Sequence, residues 1–145
     1  MPISRHALIA LYEHTQYRVR LARGGHAVIR VHQPLPAALQ LDPGTAWAFI
    51  TAWNPYSQPL SVDTNRARQR RLLARLRQLE PLPHVIAGVG VGPADATGKR
   101  WREPSLFVAG ISLESADTLM REFEQHAIVC GAGNEPAALH WNREP

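Results

Sequence analysis

A chain of 145 residues, 45% hydrophobic and 19% charged, has the size and composition of one folded globular domain, which excludes a disordered or low-complexity polypeptide. Its one cysteine, Cys130, rules out an intrachain disulfide and fits a reducing compartment. No apolar run reaches the length of a membrane span or a secretion-signal core, so the expected location is the cytoplasm, with no membrane partner.

In chain order, Ile3, Ala7, Leu8, Leu11 and Tyr12 recur at helical spacing and predict a helix over 3–13, opened by Pro2 or Ser4. Residues 17–21 alternate apolar and polar, residues 27–31 are β-rich, and Gly24-Gly25 between them marks a hairpin. The segment 33–45, with Pro34, Pro36 and Pro43-Gly44, reads as an irregular connection. Residues 47–53 form a short apolar run that ends at Asn54-Pro55, as a buried strand would. A helix over 61–79 follows, with Ser61 as N-cap, Asp63 in the first turn, and Leu72, Leu73, Leu76 and Leu79 on one arc. Residues 85–91 predict a strand, 92–104 a polar loop, and 105–111 a further strand. Ser112 caps a helix over 113–125 that places Leu113, Ala116, Met120 and Phe123 on one face. Residues 127–130 and 137–141 predict the last strands, with Cys130 a buried structural thiol rather than a nucleophile. From residue 46 onward the order strand, helix, strand, strand, helix, strand is that of an α+β fold of the ferredoxin-like, split βαβ type with an antiparallel sheet. Residues 1–145 read as a single domain, with 46–131 as its core and 1–45 as an added helix and hairpin.

Alternating chain direction in that topology brings three polar stretches to one edge of the sheet. They are Asn54 to Asn65, Lys99 to Ser105, and Gln125-His126. The candidate ligand-binding residues are therefore Asn54, Ser57, Ser61, Asn65, Trp101, Glu103, Ser105, Gln125 and His126. A strand-to-helix turn offers free N–H groups and suits an anion, so the expected ligand is small and polar or anionic. Glu103 can act as a general acid or base if Trp53 and Trp101 raise its pKa. Ser57 or Ser105 with His126 and Glu103 could form a nucleophile–base–orienter set, but no Gly-x-Ser-x-Gly elbow supports it. No catalytic residue is assigned, and whether the chain is an enzyme stays open.

Other motifs carry less. Five residues lie between Gly92 and Gly98-Lys99, where a phosphate-binding loop needs four, and Arg100 replaces its Ser or Thr. The alternation Gly88, Gly90, Gly92 points instead to a strand face left bare for close packing. The seven histidines form no metal signature, so neither a metal nor a cofactor is expected. The net charge of +4 is concentrated in residues 63–80, where Arg66, Arg70 and Arg77 form one stripe and Arg68, Arg71 and Arg75 another, flanking the leucine arc. The alternative function is a nucleic-acid-binding module using Arg66, Arg70 and Arg77. Against it stands the commoner role of such residues as a solvated face, or as partners for Glu114, Glu122 and Glu124 within the chain or across a dimer. A third reading is a protein-interaction subunit, a homodimer through a sheet edge or the N-terminal hairpin.

One resemblance bears on these readings. Residues 48–55 with Ser57, Leu60-Ser61 and Asn65 form its first part, followed by Gly88, Gly90, Trp101, Glu103-Pro104-Ser105 and Gly110-Ile111-Ser112. Ala116, Leu119, Phe123, Gln125 and residues 127–129 complete it. Over about residues 46–131 the chain resembles the bacterial domain-of-unknown-function family 3293. The resemblance implies a small bacterial protein and marks the same three polar stretches. It carries no established activity, cofactor or catalytic residue. His126 stands where many members have Asn, which weakens histidine-based catalysis.

Overall fold

The computed structural model describes residues 4–143, and Pro2 and Ile3 of the first expected helix lie outside them. Helix α1 (Arg5–Glu13) starts at Ser4, whose hydroxyl accepts from the Ala7 N–H at 3.1 Å. Strands β1 (Gln16–Arg20) and β2 (His26–Ile29) form the hairpin, and its turn uses Gly24 and Gly25 at φ +94° and +72°, angles that a residue with a Cβ resists. Strand β3 (Ala46–Ile50), helix α2 (Val62–Leu76), strand β4 (His84–Ala94), strand β5 (Arg100–Ala109), helix α3 (Leu113–Glu122), strand β6 (Ala127–Ala132) and strand β7 (Ala138–Trp141) complete the chain. Among the described residues no helix is long and apolar enough to cross a membrane.

All seven strands join one antiparallel sheet in the order β2-β1-β4-β5-β3-β6-β7. The sheet curls until its ends meet. Beyond β2 the His32 N–H donates to the Ala137 carbonyl, and the Ala137 N–H to the Gln33 carbonyl, both at 2.8 Å. Period-two alternation then divides the side chains between two cores. Tyr17, Val19, Ile29, Trp47, Phe49, Phe107 and Val129 fill the concave side, closed below by Leu35 and Leu39 from the connection after β2. Ala48, Ile50, Val108 and Ile128 point to the convex side, under Leu72 and Leu76 of α2 and Ala116, Leu119, Met120 and Phe123 around α3. Cys130 lies partly buried on that side, and burial pushes its thiol pKa up.

Two expectations need correction. Residues 92–104 are not a loop. β4 and β5 run on into a long hairpin whose turn is residues 95–99, where the Asp95 carboxylate accepts from the N–H groups of Thr97 and Lys99. Leu113, the first residue of α3, is 49% exposed and does not join the buried face of that helix.

Candidate functional site

The extended β5 decides the site. Trp101, Glu103, Ser105 and Phe107 fall on its concave face at every second residue. Opposite them β4 presents glycines: Gly88 pairs with Ser105 and Gly90 with Glu103. β1 continues the row with Tyr17 beside Gly90. A Cβ at Gly92 would lie 2.9 Å from the Trp101 ring, so that glycine seats the indole. At Gly90 the nearest atoms stand 3.8 Å or more away, and the missing side chain leaves space over the sheet. The bare strand face predicted from the glycine alternation is therefore one wall of a cleft.

The cleft has a volume of about 50 Å³, room for a few water-sized groups. Its floor is β3, β4, β5 and β6, and its mouth is framed by α1 and the turn after β3. Leu8 and Tyr12 come from α1, Tyr17 from β1, Phe49 and Thr51 from β3 and its end. Of the nine residues expected to bind a ligand, Asn54, Ser57, Trp101, Glu103, Ser105, Gln125 and His126 line it. Ser61 and Asn65 do not. Ser61 is exposed and caps α2 by accepting from the Thr64 N–H at 3.1 Å. Asn65 is buried and holds the turn: its Oδ1 accepts from the Asn54 N–H at 2.8 Å, and its Nδ2 donates to Asn54 Oδ1 at 2.7 Å. The N terminus of α2, on which the anion reading rested, thus stands outside the cleft.

Glu103 is the chemical centre of the cleft. It is 6% exposed, and among the described residues its carboxyl has no hydrogen-bond or ion-pair partner. Burial raises its pKa to about 8, because a charged carboxylate loses hydration that nothing replaces. Tyr12 and Tyr17 share this environment. Burial pushes both hydroxyls up, and the charge of Glu103 adds to the effect on each. The Tyr17 hydroxyl donates to the Tyr12 carbonyl at 2.7 Å and ties α1 to β1. Ser105 Oγ donates to the Glu103 backbone carbonyl at 3.0 Å rather than to its carboxyl. Trp53, expected beside Glu103, lies on the far side of the sheet with Arg66, Arg70 and Leu73.

The rim is built under backbone strain. Asn54, Tyr56 and Ser57 have φ of +44°, +48° and +62°, and Glu124 across from them has +55°. Left-handed conformations cost a non-glycine residue free energy and persist where the surroundings impose them. Here the Tyr56 N–H donates to the Glu124 carbonyl at 2.7 Å, and the Tyr56 ring lies 5.2 Å from that of His126. Gln125 Nε2 donates to the carbonyls of Trp53 and Phe123 at 3.2 and 3.1 Å. Those bonds spend its amide nitrogen on holding the rim. Among the described residues no hydrogen bond joins His126 to Ser57, Ser105 or Glu103, so the nucleophile–base–orienter set is not assembled.

The arginines of α2 divide. Arg68 donates to the carbonyls of Ala52 and Phe123 at 2.8 and 2.6 Å. Arg75 grips Glu122 through two nitrogens, and Arg71 lies over the Phe123 ring. That stripe joins α2 to the end of α3. Arg66, Arg70 and Arg77 are exposed, without a described partner. Among the described residues no cluster of three or more His, Cys, Asp or Glu could hold a metal ion.

Sequence reasoning missed Leu8, Tyr12 and Tyr17, since it treated the first 45 residues as an addition. The available signal was the apolar arc of α1 itself, which had to be buried against something.

A curled antiparallel sheet with helices on its convex face and a polar, aromatic cleft in its concave face defines a small protein mixing helix and sheet. The family model described as Protein of unknown function (DUF3293) matches residues 50–128, and the chain belongs to that family. No curated protein matches it. Among solved structures, a phage SAM lyase in complex with S-methyl-5'-thioadenosine is similar at a TM-score of 0.37 and 15% identity, covering 73% of this chain and 96% of that one.

Proposed function

We propose that the protein binds a small polar ligand in the cleft between α1 and the concave face of the sheet, with Glu103 as the group that meets it. The observation carrying this reading is Glu103 itself. A buried polar side chain is ordinarily paired, and an unpaired carboxyl facing a cavity is stable at lower cost when a ligand supplies the partner. Strained residues at the rim and a largely preformed apolar wall with few polar groups support the same reading. The central strands, ordered β4-β5-β3-β6, support the split βαβ reading of the core, and the continuous sheet supports taking 1–45 and 46–131 as one domain.

A fragment screen by ¹⁵N-resolved NMR tests the proposal. Polar fragments should shift the amides of Gly90, Glu103 and Gln125 and the indole N–H of Trp101. Gly90→Leu, which fills the space above Gly90, should abolish those shifts. Hits scattered over the surface, or hits indifferent to Gly90→Leu, would overturn it.

A further inference from the structure

We propose that the ligand of this cleft carries a small organic cation, an ammonium group, which docks on the Glu103 carboxyl and against the faces of the surrounding aromatic rings. The inference rests on the binding role given to the cleft above and names the class of ligand. Three observations lead to it. Among the described residues the cleft lining contains no lysine or arginine, so an anionic group would find no permanent counter-charge there beside Glu103. Four aromatic rings, Tyr12, Tyr17, Phe49 and Trp101, line the same space, and ring faces attract cations, most strongly where water is excluded. Glu103 stands between them with its carboxyl unpaired, on a residue more than nine-tenths buried.

The alternatives rank lower on the same chemistry. A neutral hydroxyl or amide could donate to Glu103, but it brings no charge to balance the buried carboxylate once that ionises. A neutral ligand also gains nothing from the ring quadrupoles. A cation lets the carboxyl ionise without being left alone in the cleft, and the proton it held is released on binding. Trp101, 42% exposed and seated on Gly92, offers a platform at the mouth where the rest of the ligand would lie. Among the described residues, the titratable groups lining the cleft with Glu103 are Tyr12 from α1, Tyr17 from β1 and His126 from the segment before β6.

Titration with butylammonium, butan-1-ol and butyrate, followed at the Trp101 indole N–H and the Gly90 amide, tests the class. Butylammonium keeps its charge from pH 6 to 9. It should bind at least about tenfold more tightly than either analogue, and Glu103→Gln should weaken it about tenfold, much more than it weakens butan-1-ol. Its affinity should rise between pH 6 and 9 in the native protein more than in Glu103→Gln, which lacks the carboxyl. Trp101→Ala, at an exposed position, should weaken butylammonium more than butan-1-ol. Equal binding of butan-1-ol or butyrate, or the same pH dependence in both proteins, overturns the cation assignment and leaves the cleft a ligand site. Failure of all three probes to reach the cleft, together with an empty fragment screen, overturns both readings.

Discussion

A carboxyl with a pKa of about 8 in the folded protein and the ordinary 4.5 in the unfolded chain holds its proton more tightly when folded. Below pH 4.5 both states are protonated, and the contribution of Glu103 to stability is fully present. Between 4.5 and about 8 the unfolded state has released a proton that the folded state keeps, so stability falls as pH rises, by up to about 1.4 kcal/mol per pH unit. Above that window the loss is complete. Glu103→Gln removes this slope. Urea unfolding of both proteins between pH 5 and 9 should show the variant gaining on the native chain by a few kcal/mol. Parallel stability curves would show that the carboxyl is solvated or paired. The chemical type of Glu103 was legible in the sequence, as was its place near Trp101. Its burial was not, because Arg100, Arg102 and Pro104 around it read as a solvated loop.

At the level of elements, β4 separates two kinds of glycine that look alike in the sequence. A Cβ at Gly88 would stand 2.6 Å from the Arg18 carbonyl oxygen and 3.0 Å from the Phe49 ring, whereas one at Gly90 meets nothing closer than 3.8 Å. Backbone cannot yield as a flexible side chain does, so Gly88→Ala should cost about 1–3 kcal/mol. Gly90→Ala should stay within about 1 kcal/mol, since its methyl has room and alanine restricts the unfolded chain. Thermal unfolding of the two variants measures the contrast, and equal costs would mean that β1 does not lie as close to β4 as described. The alternation itself announced a bare strand face. Which neighbour used that bareness, β1 at Gly88, the cleft at Gly90 or Trp101 at Gly92, depends on strand pairing, which brings β1 to β4 from far along the chain and folds Trp101 back within the β4–β5 hairpin.

For the whole molecule, the two cores predict two levels of cooperativity. Leu8 is the one buried residue of α1, and α1 forms a wall of the cleft while none of its residues belongs to the convex core. Leu8→Asp places a charge among apolar groups and should cost about 2–4 kcal/mol. Hydrogen exchange should then show protection lost over 5–13 while α2 and α3 keep theirs. Loss of protection throughout would mean that α1 is integral to global folding.

The helices, their serine caps, the N-terminal hairpin and the leucine arc of α2 could all be read from the chain, because each follows from local conformational preference and a periodic apolar face. That Tyr12 and Tyr17 join Glu103 and Gln125 in one cleft could not. That depends on curvature, which brings residue 32 within hydrogen-bonding reach of residue 137. Curvature sums small twists over seven strands, and no single stretch of residues records the sum.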